Sequence, residues 1–579
     1  MPPMPPNQPS ILHGPSAPVP VSLPFGDLLA RHARERGSHP AVISHHQDVT
    51  LTFQELHVRS DMLASAFLAS GVNKGEKVAI MLGSRTEYLE AFFACAKIGA
   101  ALVLLNYAFV FEEIVSTLTP VEPKLLILSP VVGRFKITHF MDKLSTRLAS
   151  LQALVIVNPE VDTSFHLGHK MVEYTFFLAR GQHNPLPKLN VSPHDIVNVQ
   201  FTSGSTGIPK AAALSHYNIM NCGRYISKQM SVTDTDRVCL PVPLFHSFGL
   251  IIGICTSAWS GSAVVFPSDI FNATAAVECI EKYQCTGIYG VTTMFIEEMA
   301  AANFSKTDRS SLKFGIMAGS AMPPDLLERV IKTFPVPRLY TNWGMTELSS
   351  ITTMTHHTDP MHKRIYTAGR LFPGFVAKIV EPNTGRVLPW GKKGEIVISG
   401  YGVMQGGYLN NAEKTAETLK QHVEDLQDNG VGAIDSQGNL RTWLHTGDEG
   451  FLDDDGYFVI TGRIKDIIIR GGENITPVEI EERLFSHPAI VQASVIGVPS
   501  PRLGEDVAAF VELRSGHAAP TDAELQDWVR QKLSRFKVPR YFWWIGGQDE
   551  RVPRAWPKTA SGKLRKPDLR VVAKDVQDY

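Results

Sequence analysis

The chain has 579 residues and a formal charge of −1, with 56 Lys and Arg against 57 Asp and Glu. Its 44% hydrophobic and 20% charged residues are typical of globular proteins and exclude wholesale disorder. At about 150 residues per domain the length allows up to roughly four domains. The balanced charge gives no reason to expect nucleic acid or a membrane surface as a partner. Six Cys without CxxC or Cys/His spacing argue against disulfides and structural zinc, and predict buried thiols in a reducing compartment.

No targeting segment is recognisable. Residues 1–22 are Pro-rich and predict a disordered tail rather than a signal or transit peptide. The last residues, VQDY, are not a peroxisomal SKL-type signal, so a cytoplasmic protein is expected. Residues 238–268 carry no charged side chain, but their Pro, His, Gly and Ser content favours a buried strand, loop, helix and strand over a transmembrane span.

The pattern of apolar runs predicts an α/β protein. From about residue 51 to 370, apolar strands alternate with helices, which indicates doubly wound, mostly parallel sheets. Residues 371–463 show short alternating strands with Asn/Gly turns, typical of a small β-barrel. The prediction is an N-terminal domain over 23–463 that includes this barrel, followed by a smaller, mobile α+β domain over 464–579. Residues 421–440 are polar and are expected to form a surface excursion.

The strongest local motif is a Ser/Thr/Gly loop between Thr202 and Lys210. The β-run IVNVQF leads directly into TSGSTGIPK, where Gly204 and Gly207 allow backbone N–H groups to curl around phosphate oxygens. Lys210 adds a positive charge. The spacing is not that of a Walker A loop, because residue 209 is Pro and residue 211 is Ala. A Ser/Thr/Gly run can also be a plain flexible turn, but the preceding strand and the terminal Lys favour phosphate binding.

Four further motifs complete a recognisable set: PLFHSFG around His246, YTNWGMTELSS from Tyr340, LHTGDEG around Asp448, and PKTASGK ending at Lys563. In this order they resemble the adenylate-forming superfamily of acyl-CoA synthetases, aryl-CoA ligases, adenylation domains and luciferases, over residues 25–570. PLFHSFG, IIIRGGENITPVEIE and SRFKVPRY look most like the medium-chain acyl-CoA synthetase branch.

The resemblance implies an ATP and Mg²⁺ site. Thr206 and Glu347 would hold Mg²⁺, Asp448 would accept hydrogen bonds from the ribose hydroxyls, and Arg463 would contact phosphate or ribose. Trp343 stands where the family usually has Tyr, keeping a stacking face and losing the hydroxyl. The full set of nucleotide residues implied is Thr202, Ser203, Gly204, Ser205, Thr206, Gly207, Lys210, Gly319, Ser320, Ala321, Tyr340, Thr341, Asn342, Trp343, Gly344, Met345, Thr346, Glu347, Asp448 and Arg463.

By the same resemblance, Lys563 would bridge the substrate carboxylate and the α-phosphate. The C-terminal domain would then rotate about Lys465 and bring Gly471 and Gly472 to line a pantetheine tunnel. His246 would gate the acyl pocket and help order thiol attack. The pocket walls expected are Phe248, Gly249, Met294, Ala321, Met322 and Met345. Each role has a plainer reading, since a lone His is more often a core residue and Gly471 and Gly472 could form an ordinary turn.

The predicted function is an ATP-dependent carboxylic acid:CoA ligase that forms acyl-CoA through an acyl-adenylate, on a medium-chain fatty or similar apolar acid. Its expected partners are the acid, ATP and CoA. Three alternatives stay open: an adenylation enzyme that loads a separate carrier protein, a luciferase-like oxygenase, and an inactive nucleotide-binding regulator. Two further departures from the family, Ala211 for Gly and Thr292 for Pro, touch no catalytic group.

Overall fold

The structure is a computed structural model that describes residues 8–138, 141–158, 170–202, 209–318, 324–422, 434, 440–471, 473–559 and 564–577. Its predicted class is confirmed: a large α/β domain with a barrel sheet is followed by a smaller α+β domain. The helices are Phe25–Arg36, Phe53–Ala69, Thr86–Ile98, Phe111–Leu118, Met141–Arg147, Tyr174–Ala179, His216–Met230, Thr256–Ser260, Ala273–Lys282, Thr292–Met299, Pro324–Thr333, Met361–Tyr366, Ala412–Thr418, Pro477–Phe485, Asp522–Arg530 and Lys566–Val576.

Two seven-stranded sheets form the body of the large domain, and within each only the last pair of strands is antiparallel. The first sheet has the spatial order Met171–Glu173, Ala153–Ile156, Leu125–Leu128, Lys77–Met81, Ala101–Leu104, Ile196–Thr202 and Lys210–Ser215. The second has the order Arg338–Tyr340, Phe314–Ala318, Gly287–Val291, Arg237–Cys239, Ala263–Phe266, Pro40–Ser44 and Val49–Thr52. Strands that read as continuous apolar runs are those expected of a parallel sheet covered on both faces.

Helices buried on nearly all sides contribute to the shared core of these sheets. In Thr86–Ile98, Leu89, Phe92 and Phe93 are all buried in the largest apolar cluster, and the helix ends at Gly99 with φ of 71°. Helix Phe53–Ala69 begins directly after Thr52, because Thr52 and Glu55 cap each other's backbone N–H groups. A helix with apolar residues all round needs burial on all sides, which the two sheets provide.

The charge-free stretch 238–268 is buried as predicted. It forms strand Arg237–Cys239, a π-helical segment Phe248–Cys255, helix Thr256–Ser260 and strand Ala263–Phe266. None of the helices in the described part of the chain is both long enough and apolar enough to cross a bilayer. All six Cys are buried and unpaired, as the sequence predicts.

An antiparallel sheet forms the barrel region and recruits the N-terminus. Its strands run in the order Ile11–His13, Phe375–Val380, Gly394–Gly400, Thr442–Leu452 and Leu419–Gln421, with Phe458–Arg463 also paired to Thr442–Leu452. The prediction of a disordered tail is therefore wrong for residues 8–22. Besides the paired strand, the Arg224 guanidinium donates to Val19 O at 2.7 Å and the Tyr225 hydroxyl donates to Pro18 O at 2.6 Å. Proline-rich composition disfavours regular structure but leaves carbonyl oxygens available as acceptors.

The smaller domain is built on one five-stranded sheet. Its strands are Glu473–Ile475, Ile468–Arg470, Gly504–Leu513, Ile490–Ser500 and Tyr541–Trp544, and the helices from residue 477 onward pack on it. The sheet has its own two apolar clusters, one on each face. The boundary predicted at 463/464 falls between strand Phe458–Arg463 and the 3₁₀ turn Ile464–Asp466.

Candidate active site

The phosphate-loop motif connects two paired strands. Thr202 ends strand Ile196–Thr202 and Lys210 begins strand Lys210–Ser215, and the two residues are cross-strand partners in the antiparallel register. The loop is therefore closed at its base. The predicted ligands Ser203, Gly204, Ser205, Thr206 and Gly207 lie outside the described residues.

Lys210 and Glu347 meet at a residue that the sequence analysis does not single out, Tyr408. The Lys210 ammonium lies 5.0 Å from the centroid of the Tyr408 ring. The Tyr408 hydroxyl donates a hydrogen bond of 2.7 Å to Glu347 Oε1. Burial and the adjacent carboxylate raise the pKa of Tyr408 well above its ordinary value, so the hydroxyl stays a donor. Its short motif, GGYLN, carries no spacing that would have identified it.

Glu347 is buried, with 5% of its surface exposed, and lies in the 3₁₀ turn Thr346–Leu348. The turn is fixed to the barrel region because Met404 N donates to Glu347 O at 2.9 Å. Two consecutive residues with positive φ, Ser349 at 60° and Ser350 at 83°, follow it. Gly344 is needed here, since a Cβ would lie 2.1 Å from Ser350 O. The motif is thus folded tightly back on itself, which fixes the direction of the Glu347 carboxylate.

Asp448 is held from two sides. The Trp343 indole N–H donates to Asp448 Oδ2 at 2.7 Å, and Arg463 Nε lies 2.6 Å from Asp448 Oδ1. Asp448 and Arg463 are directly opposite each other on neighbouring strands. Trp343 is 8% exposed and its ring is stacked toward Phe458, with centroids 6.3 Å apart and an interplanar angle of 11°. The indole therefore links the YTNWGMTELSS motif to the carboxylate that is predicted to bind the ribose, a contact that the stacking prediction did not include.

The remaining residues of the YTNWGMTELSS motif lie partly at the candidate site and partly in the core. Tyr340 is fully buried at the end of its strand, and its hydroxyl lies 3.2 Å from His357 Nδ1. The backbone N–H of Thr341 donates to Thr355 Oγ1 at 3.0 Å. Asn342 and Trp343 form a short strand paired with Thr353–Met354. These contacts help to fix the positions of Trp343 and Glu347. They also hold Tyr340 and Thr341 inside the fold. Gly319, Ser320, Ala321 and Met322 lie outside the described residues.

Two of the predicted acyl-pocket residues, Phe248 and Gly249, begin the π-helical segment Phe248–Cys255. The Phe248 N–H donates to His246 Nδ1 at 3.1 Å, which leaves Nε2 as the protonated nitrogen of a neutral imidazole. Gly249 has no room for a side chain, because a Cβ would lie 2.2 Å from Pro243 O. Phe248 and Met294 are buried in the same apolar cluster, against which Met345 packs.

In the smaller domain over 464–579, which the resemblance predicts to move like a lid and which is called the lid domain from here on, Lys465 and Gly471 lie close to the 463/464 boundary. Lys465 lies in the 3₁₀ turn Ile464–Asp466, whose Asp466 pairs with Arg570 at 2.7 Å. Gly471 has φ of 60°, and its N–H donates to Leu503 O at 2.7 Å. Gly472 and Lys563 lie outside the described residues. Lys558 and Leu564, which flank the undescribed segment around Lys563 in the sequence, form an isolated antiparallel bridge.

Comparison with known proteins agrees with the predicted family. A family model described as AMP-binding enzyme matches residues 29–409, and one described as AMP-binding enzyme C-terminal domain matches residues 479–563. The acyl-CoA ligase sidI of Aspergillus fumigatus is 38% identical, over 99% of this chain and 95% of its own. The mitochondrial medium-chain acyl-CoA ligase ACSF2 of Danio rerio is 34% identical, over 90% of this chain and 83% of its own.

Solved structures show the same fold. The anthranilate CoA ligase AuaEII in complex with anthranoyl-AMP matches with a TM-score of 0.81 at 24% identity, over 97% of this chain and 99% of its own. The o-succinylbenzoate CoA synthetase of Bacillus subtilis in complex with its acyl-adenylate matches with a TM-score of 0.74 at 25% identity, over 96% and 99%. The chain therefore belongs to the AMP-binding enzyme family, and its predicted class, an AMP-forming acid–thiol ligase, is confirmed by acyl-CoA ligase relatives along nearly its whole length.

Proposed function

We propose that this enzyme activates an apolar carboxylic acid of medium length with ATP and transfers the acyl group to CoA. The observation that carries the choice of acid is the burial of Phe248 and Met294, which are 4% and 3% exposed, in the largest apolar cluster. An alkyl chain gains free energy on leaving water for such a lining, whereas a charged substrate end would lose hydration. The relative ACSF2, named a medium-chain acyl-CoA ligase, supports the same substrate class.

The reaction proceeds in two balanced steps. In the first, a carboxylate oxygen attacks the α-phosphorus of ATP, the bond to the β-phosphate oxygen breaks, and pyrophosphate leaves. In the second, the CoA thiolate attacks the acyl carbon, the acyl–oxygen bond breaks, and AMP leaves with that electron pair. Both steps gather negative charge, so the work of the protein is positioning and charge stabilisation. Asp448, held by Trp343 and Arg463, is suited to fix the ribose while Lys210 and Lys563 face the phosphates.

The residues fit a Mg²⁺ ion held jointly with ATP. Glu347 offers a buried carboxylate fixed by Tyr408, and Mg²⁺ is normally bound by one or two carboxylates together with substrate phosphates. The described residues contain no cluster of three or more His, Cys, Asp or Glu side chains that could hold a metal ion. When bound, Mg²⁺ would neutralise phosphate charge. Glu347, with Thr206 as its partner, would orient it.

An arginine-lined cleft in the lid domain supports CoA as the acceptor. The cleft, of about 190 Å³, is lined by Arg470, Arg502, Arg530, Arg535 and Arg540. Buried Asp506 fixes two of them, with Arg470 Nε at 2.6 Å and Arg540 at 3.3 Å. The cleft includes Leu503, whose carbonyl accepts the Gly471 N–H. A thiol arm passing Gly471 would therefore leave its phosphorylated nucleotide end near this cleft, and Arg pairs well with phosphates.

One experiment tests the acid and the acceptor together. Pyrophosphate release is measured over a panel of straight-chain, branched, aromatic and amino acids, followed by product analysis with CoA or a phosphopantetheinylated carrier protein. We expect medium-length apolar acids to give the highest kcat/KM and CoA to be acylated. Preference for a charged acid would overturn the substrate class, and exclusive acylation of the carrier would overturn the acceptor. Arg502→Ala should raise KM for CoA and not for ATP, with Arg551→Ala, at an exposed arginine paired to Asp549, as the control.

A further inference from the structure

A chain of buried polar side chains crosses the barrel sheet and ends next to Asp448. Its members come from four separate segments: Lys378 of strand Phe375–Val380, Glu395 of strand Gly394–Gly400, His422, and His445 of strand Thr442–Leu452. Lys378, Glu395 and His422 have 1%, 6% and 5% of their surfaces exposed. Buried charges are costly unless they are paired and hydrogen-bonded, so this arrangement calls for an explanation.

The distances define a continuous hydrogen-bonded path. Lys378 Nζ lies 2.9 Å from His422 Nδ1, His422 Nε2 lies 3.0 Å from His445 Nε2, and His445 Nδ1 lies 2.8 Å from Glu395 Oε2. One proton arrangement satisfies every link, because an ammonium can only donate and a carboxylate can only accept. His422 then carries its proton on Nε2 and His445 carries its proton on Nδ1. Both imidazoles are neutral, and they connect a cation to an anion.

The other oxygen of Glu395 reaches the active site. Glu395 Oε1 accepts a hydrogen bond of 3.0 Å from the backbone N–H of Gly447, the residue before Asp448. Gly447 has φ of 67°, a left-handed conformation that glycine adopts readily. Thr446 completes the turn, since its hydroxyl donates to Ile396 O at 2.7 Å and accepts from Asp448 N at 3.0 Å.

We propose that Glu395 is a positioning residue for ATP, acting through Gly447 to fix the Asp448 carboxylate at the ribose. The inference rests on the proposed function, in which Asp448 binds the ribose hydroxyls. The imidazole pair orients Glu395, because His445 donates to Oε2 and leaves Oε1 for the Gly447 N–H. A carboxylate oxygen accepts more strongly than a neutral amide, which suits a turn that must hold a single geometry.

Glu395→Gln separates positioning from simple stabilisation. Glutamine keeps the size of the side chain. If its oxygen faces Gly447, however, its NH₂ group meets the N–H of His445, and two donors are opposed. KM is measured for ATP, 2′-deoxy-ATP and 3′-deoxy-ATP in acid-dependent pyrophosphate release. We expect KM for ATP to rise about tenfold, as for one lost hydrogen bond to a charged group, while KM for the deoxy analogues stays within about twofold.

A matched control removes another ion pair of the same region. Lys363 lies 2.7 Å from Asp453 and 2.6 Å from Asp455 and has no contact with the 446–448 turn, so Lys363→Met should leave the ratio of ATP to deoxy-ATP KM unchanged. If Glu395→Gln does not fold, His445→Gln tests the same link one step away, with a smaller change in the same ratio.

The possible failures are distinguishable. A wild-type enzyme without acid-dependent pyrophosphate release would overturn the proposed function. An active wild type that does not discriminate against the deoxy analogues, or a Glu395→Gln variant that raises KM equally for all three nucleotides or for none, would overturn the positioning role alone.

Discussion

The indole of Trp343 and the carboxylate of Asp448 are joined by a hydrogen bond of 2.7 Å, although 105 residues separate them in the sequence. This contact connects the segment expected to carry adenine with the residue expected to carry ribose. In the related enzymes that the sequence resembles, a Tyr usually stands at the position of Trp343. Trp343 therefore places an N–H donor, rather than a phenol, against the carboxylate that is proposed to bind the ribose.

Removing that donor should weaken ATP binding more than turnover. For Trp343→Phe we expect KM for ATP to rise by about three- to tenfold, the usual effect of losing one hydrogen bond to a charged group, with kcat within about twofold. Steady-state kinetics with saturating acid measure the change. Trp390→Phe is the matched control, because Trp390 donates its N–H to Asp453 O at 2.9 Å, a backbone acceptor that is not one of the predicted site residues. An unchanged KM for ATP in Trp343→Phe would contradict the linkage.

Tyr408 should affect the response to magnesium. Tyr408→Phe leaves Glu347 Oε1 without the 2.7 Å hydrogen bond that fixes it, so the Mg²⁺ concentration for half-maximal activity should rise about threefold or more. The titration is carried out at constant free ATP. Tyr457→Phe breaks a comparable tyrosine–carboxylate hydrogen bond of 2.7 Å to Asp359 and should leave the Mg²⁺ dependence unchanged. An equal change in Mg²⁺ dependence in both variants would contradict a specific role of Tyr408 at the metal site.

Lys563 is predicted to act in only one half-reaction. Lys563→Ala should lower acyl-adenylate formation about 100- to 1000-fold, the usual effect of removing one charge-stabilising group. Thioester formation from supplied acyl-AMP should stay within about threefold of wild type. Lys558→Ala, at an exposed position before the same loop, is the control. If both half-reactions fall equally in Lys563→Ala, the residue does not have the role that its motif implies.

Glu298 predicts a pH dependence of stability that is independent of catalysis. Its carboxyl is fully buried, and neither oxygen has a hydrogen-bond partner among the described residues. Burial raises the pKa of Glu298 well above its ordinary value of 4.5. The folded state therefore binds the proton more tightly than the unfolded state does. The stability it contributes is complete below about pH 4.5 and decreases as the pH rises toward the folded-state pKa.

Glu298→Gln should remove this loss of folding stability at high pH. At about pH 8 the variant should be more stable than wild type by about 1–3 kcal/mol, and the difference should vanish near the unfolded-state pKa. Chemical unfolding at a series of pH values measures it. Glu281→Gln makes the same change at an exposed glutamate whose charge does not contribute to the raised pKa of Glu298, and it should have no such pH-dependent effect. A constant difference at all pH values would show that ionisation is not its cause.

The sequence predicts candidate site residues where a local motif carries the chemistry. Thr202 and Lys210 could be predicted to lie together because a glycine-containing loop separates two apolar runs, and the structure pairs them. Tyr408 and Glu395 could not be predicted, because each acts through a partner that is distant in the sequence, and neither has unusual neighbours. The roles of Ser203 to Gly207, Gly472 and Lys563 stay predictions. The prediction of a disordered tail is wrong for residues 8–22 because composition reflects only local preference. The hydrogen-bond donors that hold this segment come from Arg224 and Tyr225, which are distant in the sequence.

The N-terminal strand has a consequence for synthesis. Ile11–His13 pairs with residues 376–378, so during synthesis this strand must wait until the sheet that receives it has been translated. Residues 14–375 emerge in between, and contacts between such distant segments form slowly. The barrel is therefore expected to close late.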